Sequence, residues 1–125
     1  MKVNKEDIPV VMQNEGTVMR NLSGYGGMTV AYNELPAGTD FTPLLKGLSN
    51  DLCHCPHWGH ILEGVMRIVY GDGSEERLRA GDVFYLPPGH TAIVEEDVTF
   101  VDFSPTKELN EVLGHVGKMM ATLEQ

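Results

Sequence analysis

The densest set of reactive side chains lies in "DLCHCPHWGHILEG", Asp51 to Gly64, which holds one aspartate, two cysteines and three histidines. Thiolate, imidazole and carboxylate hold transition metals, while thiols can also form redox pairs or fill a core. Redox pairs of the thioredoxin kind have two residues between their cysteines. Cys53 and Cys55 have one, a spacer too tight for an ordinary disulfide, so both are expected as thiols. On an extended strand the side chains at 51, 53, 55 and 57 share a face, so Asp51, Cys53, Cys55 and His57 can all project inward. His54 and His60 then fall out of register. Such a donor set suits a divalent metal: Zn²⁺ first on ligand softness, at about 2.3 Å for sulfur and about 2.0 Å for nitrogen, and Fe²⁺ or Ni²⁺ less selectively. The plainer reading makes Cys53 and Cys55 small buried hydrophobes with His57 hydrogen-bonded beside them. Asp51 ranks last as a ligand, because it follows "SN" in a stretch with turn character.

The elements that must position these residues read as short β-rich runs from Met28 onward, separated by Gly, Pro and Asp. "MTVAYNEL" (28–35) is a strand ending at the turn signal "PAGTD". "HILEGVMRIVY" (60–70) is a strand region interrupted at Gly64, with Met66, Ile68 and Tyr70 on its inward face. "GDGS" (71–74) signals a two-residue hairpin, and "EERLR" (75–79) returns from it. "VFYLP" (83–87) and "TAIVE" (91–95) flank "PPGH", and "VTFVDF" (98–103) closes the β-rich part. The segment 37–50 is long and carries Leu44, Leu45 and Leu48, so it is expected as a flap over a pocket mouth.

The tail differs in kind. Ser104 and Pro105 read as a helix start, a capping hydroxyl followed by proline. Leu109, Val112, Leu113, Val116, Met120 and Leu123 then recur at three- and four-residue spacing, the stripe of an amphipathic helix over about 105–123. That stripe must bury itself, either as a lid on the barrel or in a contact between subunits. His115 falls on its polar side.

Charge and length bound the rest. The chain has 125 residues, and 18 acidic against 9 basic side chains give a net charge of −9, which disfavours nucleic acid and anionic membrane surfaces. It reads as one domain, 1–125, with its barrel core at about 28–103. No signal-peptide-like or membrane-length apolar run is present, so a cytoplasmic protein is expected.

Two motifs with a hairpin between them carry a family resemblance. "GDVFYLPPGH" (81–90) is similar to the second cupin motif in Gly81, Asp82, Pro87 and Gly89, and "ILEG" (61–64) to the end of the first. The chain thus resembles a small single-domain cupin, which implies an all-β jelly-roll barrel, a double-stranded β-helix, here followed by a C-terminal α-helix. Family metal positions fall on Asp51, Cys53 and His57 in the first motif and on Ala92 in the second. His90 lies two residues before Ala92, a displaced candidate ligand. The resemblance therefore implies a metal held by Cys53, His57 and Cys55, then His90, then Asp51. It also implies a small-molecule ligand in the barrel and a homodimer.

Three functions stay open: a metal-binding cupin acting on or binding a small molecule, a non-catalytic ligand-binding or sensor cupin with structural or no metal, and a small dimeric scaffold whose tail helix or edge strand joins subunits. No catalytic residue is singled out. Arg67 and Arg79 are the cations nearest the barrel for a carboxylate substrate. Trp58 is expected to pack in the core or to rim the pocket, and Tyr70, Tyr85, Phe84, Met66 and Phe103 are core candidates.

Overall fold

The computed structural model describes residues 1–123, with side chains through residue 122, so the Leu123 position of the tail stripe lies outside the described side chains. The strands are β1 (Val10–Asn14), β2 (Thr17–Tyr25), β3 (Met28–Leu35), β4 (His57–Tyr70), β5 (Glu75–Arg79), β6 (Val83–Leu86) and β7 (His90–Pro105). A one-turn helix, α1 (Thr42–Leu45), precedes β4, and α2 (Thr106–Leu123) ends the described chain. The sheet runs β1-β2-β3-β7-β4-β5, with β6 also paired to β4, along His57 to His60, and it wraps into the expected cupin barrel.

Most of the boundaries follow the sequence. Strands 28–35 and 75–79 end where the turn signals place them. Met66 and Ile68 are buried while Val65, Arg67 and Val69 are only partly covered, as the alternation requires. Four expectations change. The barrel takes in β1 and β2, before residue 28: Glu15-Gly16 and Gly26-Gly27 all have positive φ, the backbone that tight hairpins need. The two runs expected at 91–95 and 98–103 are one long strand, β7. Ser104 and Pro105 belong to that strand rather than to a helix cap, and the Ser104 hydroxyl is engaged by His57 at 2.6 Å. The "GDGS" turn is also looser than two residues: Val69 pairs with Glu75, and Asp72 inside it accepts from the Ser74 amide.

The main core gathers Ile61, Met66, Ile68, Phe84, Val94, Val98 and Phe100 between the two halves of the barrel. Ile61 is fully buried, so Ile61→Ala is expected to cost about 3 kcal/mol through lost transfer energy and an unfilled cavity. Urea unfolding monitored by circular dichroism checks this, and a loss below about 1 kcal/mol would show that the site collapses freely.

A second cluster closes the mouth. Leu45, Cys53, Cys55 and Leu109 are buried together, with Phe41, Leu48, Val112, Leu113 and Val116 against them. The tail helix is thus a lid, laid across the barrel's open end on top of segment 37–50. His115 is not simply solvated: its Nε2 donates to the Lys46 carbonyl at 2.7 Å and ties lid to segment. Gly114 and Gly117 each weaken the helix by about 1 kcal/mol relative to alanine, so this tertiary contact is what holds it.

Candidate functional site

Cys53, His57 and His90 bring one sulfur and two imidazoles together, with ligand atoms all within 4.8 Å of one another. His57 is the first residue of β4, where its pairing with Leu86 of β6 fixes its height on the barrel wall. The short link Pro87–Gly89 then returns the chain as β7, whose first residue is His90. The Cys53 amide donates to the His90 carbonyl at 2.8 Å, and the His90 amide donates back to the Cys53 carbonyl at 3.1 Å. That isolated bridge sets Cys53 beside His90 although no regular strand runs through it.

The second nitrogen of each ring has its own partner. His90 Nδ1 lies 2.9 Å from the Pro87 carbonyl, which can only accept, so Nδ1 carries the proton and Nε2 keeps its lone pair for the site. His57 Nδ1 lies 2.6 Å from Ser104 Oγ and 3.9 Å from Asp102, while its Nε2 faces Cys53 Sγ at 3.7 Å. Bond lengths of about 2.3 and 2.0 Å at a tetrahedral angle put a sulfur and a nitrogen donor roughly 3.5 Å apart. The donor set therefore fits a four-coordinate soft divalent metal with three protein ligands.

Burial sets the protonation states. It pulls His57 down to about 3, helped by His90, and lowers His90 as well, so both rings are neutral and able to coordinate. Burial raises the Cys53 thiol, and it pushes Asp102 up to about 7. Because burial favours the uncharged form of both partners, the His57–Asp102 contact is a polar contact rather than a stabilising ion pair.

The remaining expected site residues lie outside that donor group, Cys55 next to it and within reach of Ser104. Residues 49–51 form a single 3₁₀ turn rather than a strand, Asn50 and Asp51 have positive φ, and strand parity does not apply there. Asp51 is exposed and accepts from the Gly47 amide at 2.9 Å, away from the donor group. Cys55 is fully buried but points its thiol at the Pro56 carbonyl, 3.4 Å away, and burial pushes it up to about 12. His54 is exposed on the Ser49 carbonyl, and His60 sits on the outer wall opposite Val83 and Val101. Trp58 neither fills the core nor rims the cavity. With His57 facing in, Trp58 faces out, stacked on Tyr85 and opposite Phe103. Tyr85 and Phe103 are exposed with it, whereas Phe84 and Met66 are buried and reach the interior.

The three donors open on a cavity of about 500 Å³ under the lid, walled mainly by apolar side chains. Its polar lining includes Asn21, Asn33, Asp102 and Ser104, none of which the sequence marked as a site residue. Positions 98, 100, 102 and 104 alternate as buried, so Asp102 and Ser104 were legible as polar residues on an inward face.

Residues 51–104 match the family profile of the EutQ-like cupin domain. Among solved structures, an RmlC-like cupin from Shewanella frigidimarina superposes with a TM-score of 0.58 at 18% identity, over 82% of this chain and 88% of that one. KdgF from Halomonas gives 0.56 at 18% identity, over 82% and 90%. The polyketide cyclase RemF from Streptomyces resistomycificus gives 0.57 at 18% identity, over 84% and 78%. At that identity the likenesses show the fold. No curated protein sequence matches the chain. Among the described residues, no helix is long and apolar enough to cross a membrane.

Proposed function

Because the chain is a small cupin-domain protein, we propose that it holds a divalent metal through Cys53, His57 and His90 and acts on or binds a small molecule in the barrel interior. The observation that carries this reading is the convergence of those three donors on the wall of a largely apolar cavity. Zn²⁺ is the first choice for one thiolate and two imidazoles, ahead of Fe²⁺ and Ni²⁺. Three protein ligands leave one tetrahedral position for an oxygen of water or ligand, the arrangement of catalytic rather than structural zinc sites. A metal there would supply Lewis acidity toward that oxygen. The chain's own residues do the rest: Ser104 fixes the His57 ring, the Pro87 carbonyl fixes His90, and the lid lays Leu109, Val112, Leu113 and Val116 over the donors. The same reading takes the protein as a cytoplasmic homodimer. Exposed Val83, Tyr85, Trp58 and Phe103 form an outer apolar face that a second copy would cover, which light scattering checks.

The test is elemental analysis of protein purified without an affinity tag. About one metal per chain is expected, and its absence after supplementation with zinc, iron and nickel salts would sink the metal-binding reading. Ser104→Ala should weaken zinc by about 10- to 100-fold in a competition titration, the usual loss when a ligand histidine loses its outer partner. Unchanged affinity would mean that Ser104 does not orient the ring.

A further inference from the structure

Asn21 and Asn33 line the cavity, and each buries a side-chain carbonyl oxygen that has no hydrogen-bond partner. Asn33 is only 4% exposed. Buried acceptors are nearly always satisfied, so two orphans on one wall call for an occupant. Asn21 pairs with Ala31 across β2 and β3, and Asn33 stands two residues further along β3, so the two amides are diagonal neighbours within reach of one ligand group. Ala31 also pairs with Asp102 on β7, and its small side chain leaves room between the two polar residues that flank it.

The cavity's charge is equally specific. Among the described residues, no lysine or arginine lines it. Arg67, the cation that the sequence placed nearest the barrel, is held outside by Glu75 at 2.7 Å and Glu95 at 3.4 Å. Arg20, next to Asn21, is turned away onto the Lys5 and Ile8 carbonyls. An anionic ligand would lose its hydration on entry and meet no side-chain cation.

We propose that the interior takes an uncharged, mostly apolar alcohol, phenol or amide, whose O–H or N–H donates to the Asn21 and Asn33 side-chain oxygens while its body lies against the apolar wall under α2. This rests on the reading of the interior as a ligand site and not on the presence of the metal.

The experiment uses 2-naphthol and 2-naphthoate, matched in size and shape but differing in charge. Each is titrated calorimetrically into metal-free and zinc-loaded protein. 2-Naphthol is expected to bind one per chain in both forms, with 2-naphthoate roughly tenfold weaker or more in the metal-free protein. Asn33→Leu keeps the volume and removes the orphaned oxygen. It should raise or preserve the melting temperature while weakening 2-naphthol by roughly tenfold, and Asn21→Leu should do the same. No binding of 2-naphthol, equal or tighter binding of 2-naphthoate to the metal-free protein, or unchanged 2-naphthol affinity in both leucine variants would each overturn the proposal. The last outcome would assign the two amides to ordered water. Failure of zinc to bind would leave the metal-free titration standing as the test, so the two readings fail separately.

Discussion

His57→Ala is expected to yield a folded protein that no longer retains stoichiometric metal. The substitution removes a donor that meets both of the others: His57 Nε2 faces Cys53 Sγ at 3.7 Å, and its ring meets that of His90 edge to face at 5.1 Å. Two donors, one of them a thiol that burial keeps protonated, then remain. The affinity loss should exceed the roughly 100-fold that follows from losing an outer partner alone. Folding survives because the ring lines a cavity that already exists, so alanine enlarges that space without opening a new one in the main core. The two cysteines supply the control that sequence could not. Cys53→Ala should lose the metal as His57→Ala does, while Cys55→Ala should keep it and lose stability instead, since Cys55 is fully buried beside Leu45 and Leu109. Elemental analysis after dialysis against a weak chelator, beside a thermal melt, separates the outcomes. Metal retained by His57→Ala, or lost from Cys55→Ala and kept by Cys53→Ala, would contradict the donor set.

How much of this was legible in the sequence depends on which backbone each residue turned out to have. The strand periodicity of 66–70 and the positions of the turns at 71–74 and 80–82 held, though not the two-residue length of the first, because local alternation and positive-φ glycines are decided within a few residues. The reading of Asp51 failed for the same local reason in reverse. Facing follows parity only on extended backbone, and Asn50 and Asp51 have φ of 56° and 58°. Cys53 and Cys55 share a parity and are both buried, yet only Cys53 is tied to His90 by main-chain hydrogen bonds. That bridge is a contact between residues 37 positions apart, and no local pattern encodes it. β1 was hidden because its residues are mostly exposed and lack a buried stripe. The "YGGM" that turns β2 into β3 was a readable hairpin signal all the same. The lid's stripe was legible as apolar, but its choice between barrel and partner was settled by the mouth it covers.

The largest stability effect is expected from Gly64→Ala. Gly64 has φ +84°, and an added Cβ would lie 2.0 Å from the Asp97 carbonyl oxygen and 2.7 Å from Val98 Cα, both main-chain atoms of β7. Neither can swing aside as a side chain could, so β7 must move, and Val98 and Phe100 of the core move with it. Left-handed strain adds about 1–2 kcal/mol, and the total should reach about 4 kcal/mol or more, a large part of what a domain this size has. Gly73→Ala separates the two contributions, because Gly73 has a similar φ of +87° with nothing within 4 Å of an added Cβ. It should cost only the strain. Equal melting temperatures for the two variants would show that the close approach to β7 is unimportant. The consequence reaches the metal. Straight, the 14 residues of β4 would span about 43 Å between first and last Cα, yet His57 at its start meets His90, which pairs with Tyr70 at its end. The register shifts between Ile61 and Met66, centred on Gly64, bend β4 so that its partner on β7 comes back to its own beginning. Any Gly64→Ala protein that does fold should therefore bind zinc more weakly than Gly73→Ala, although neither glycine touches a donor.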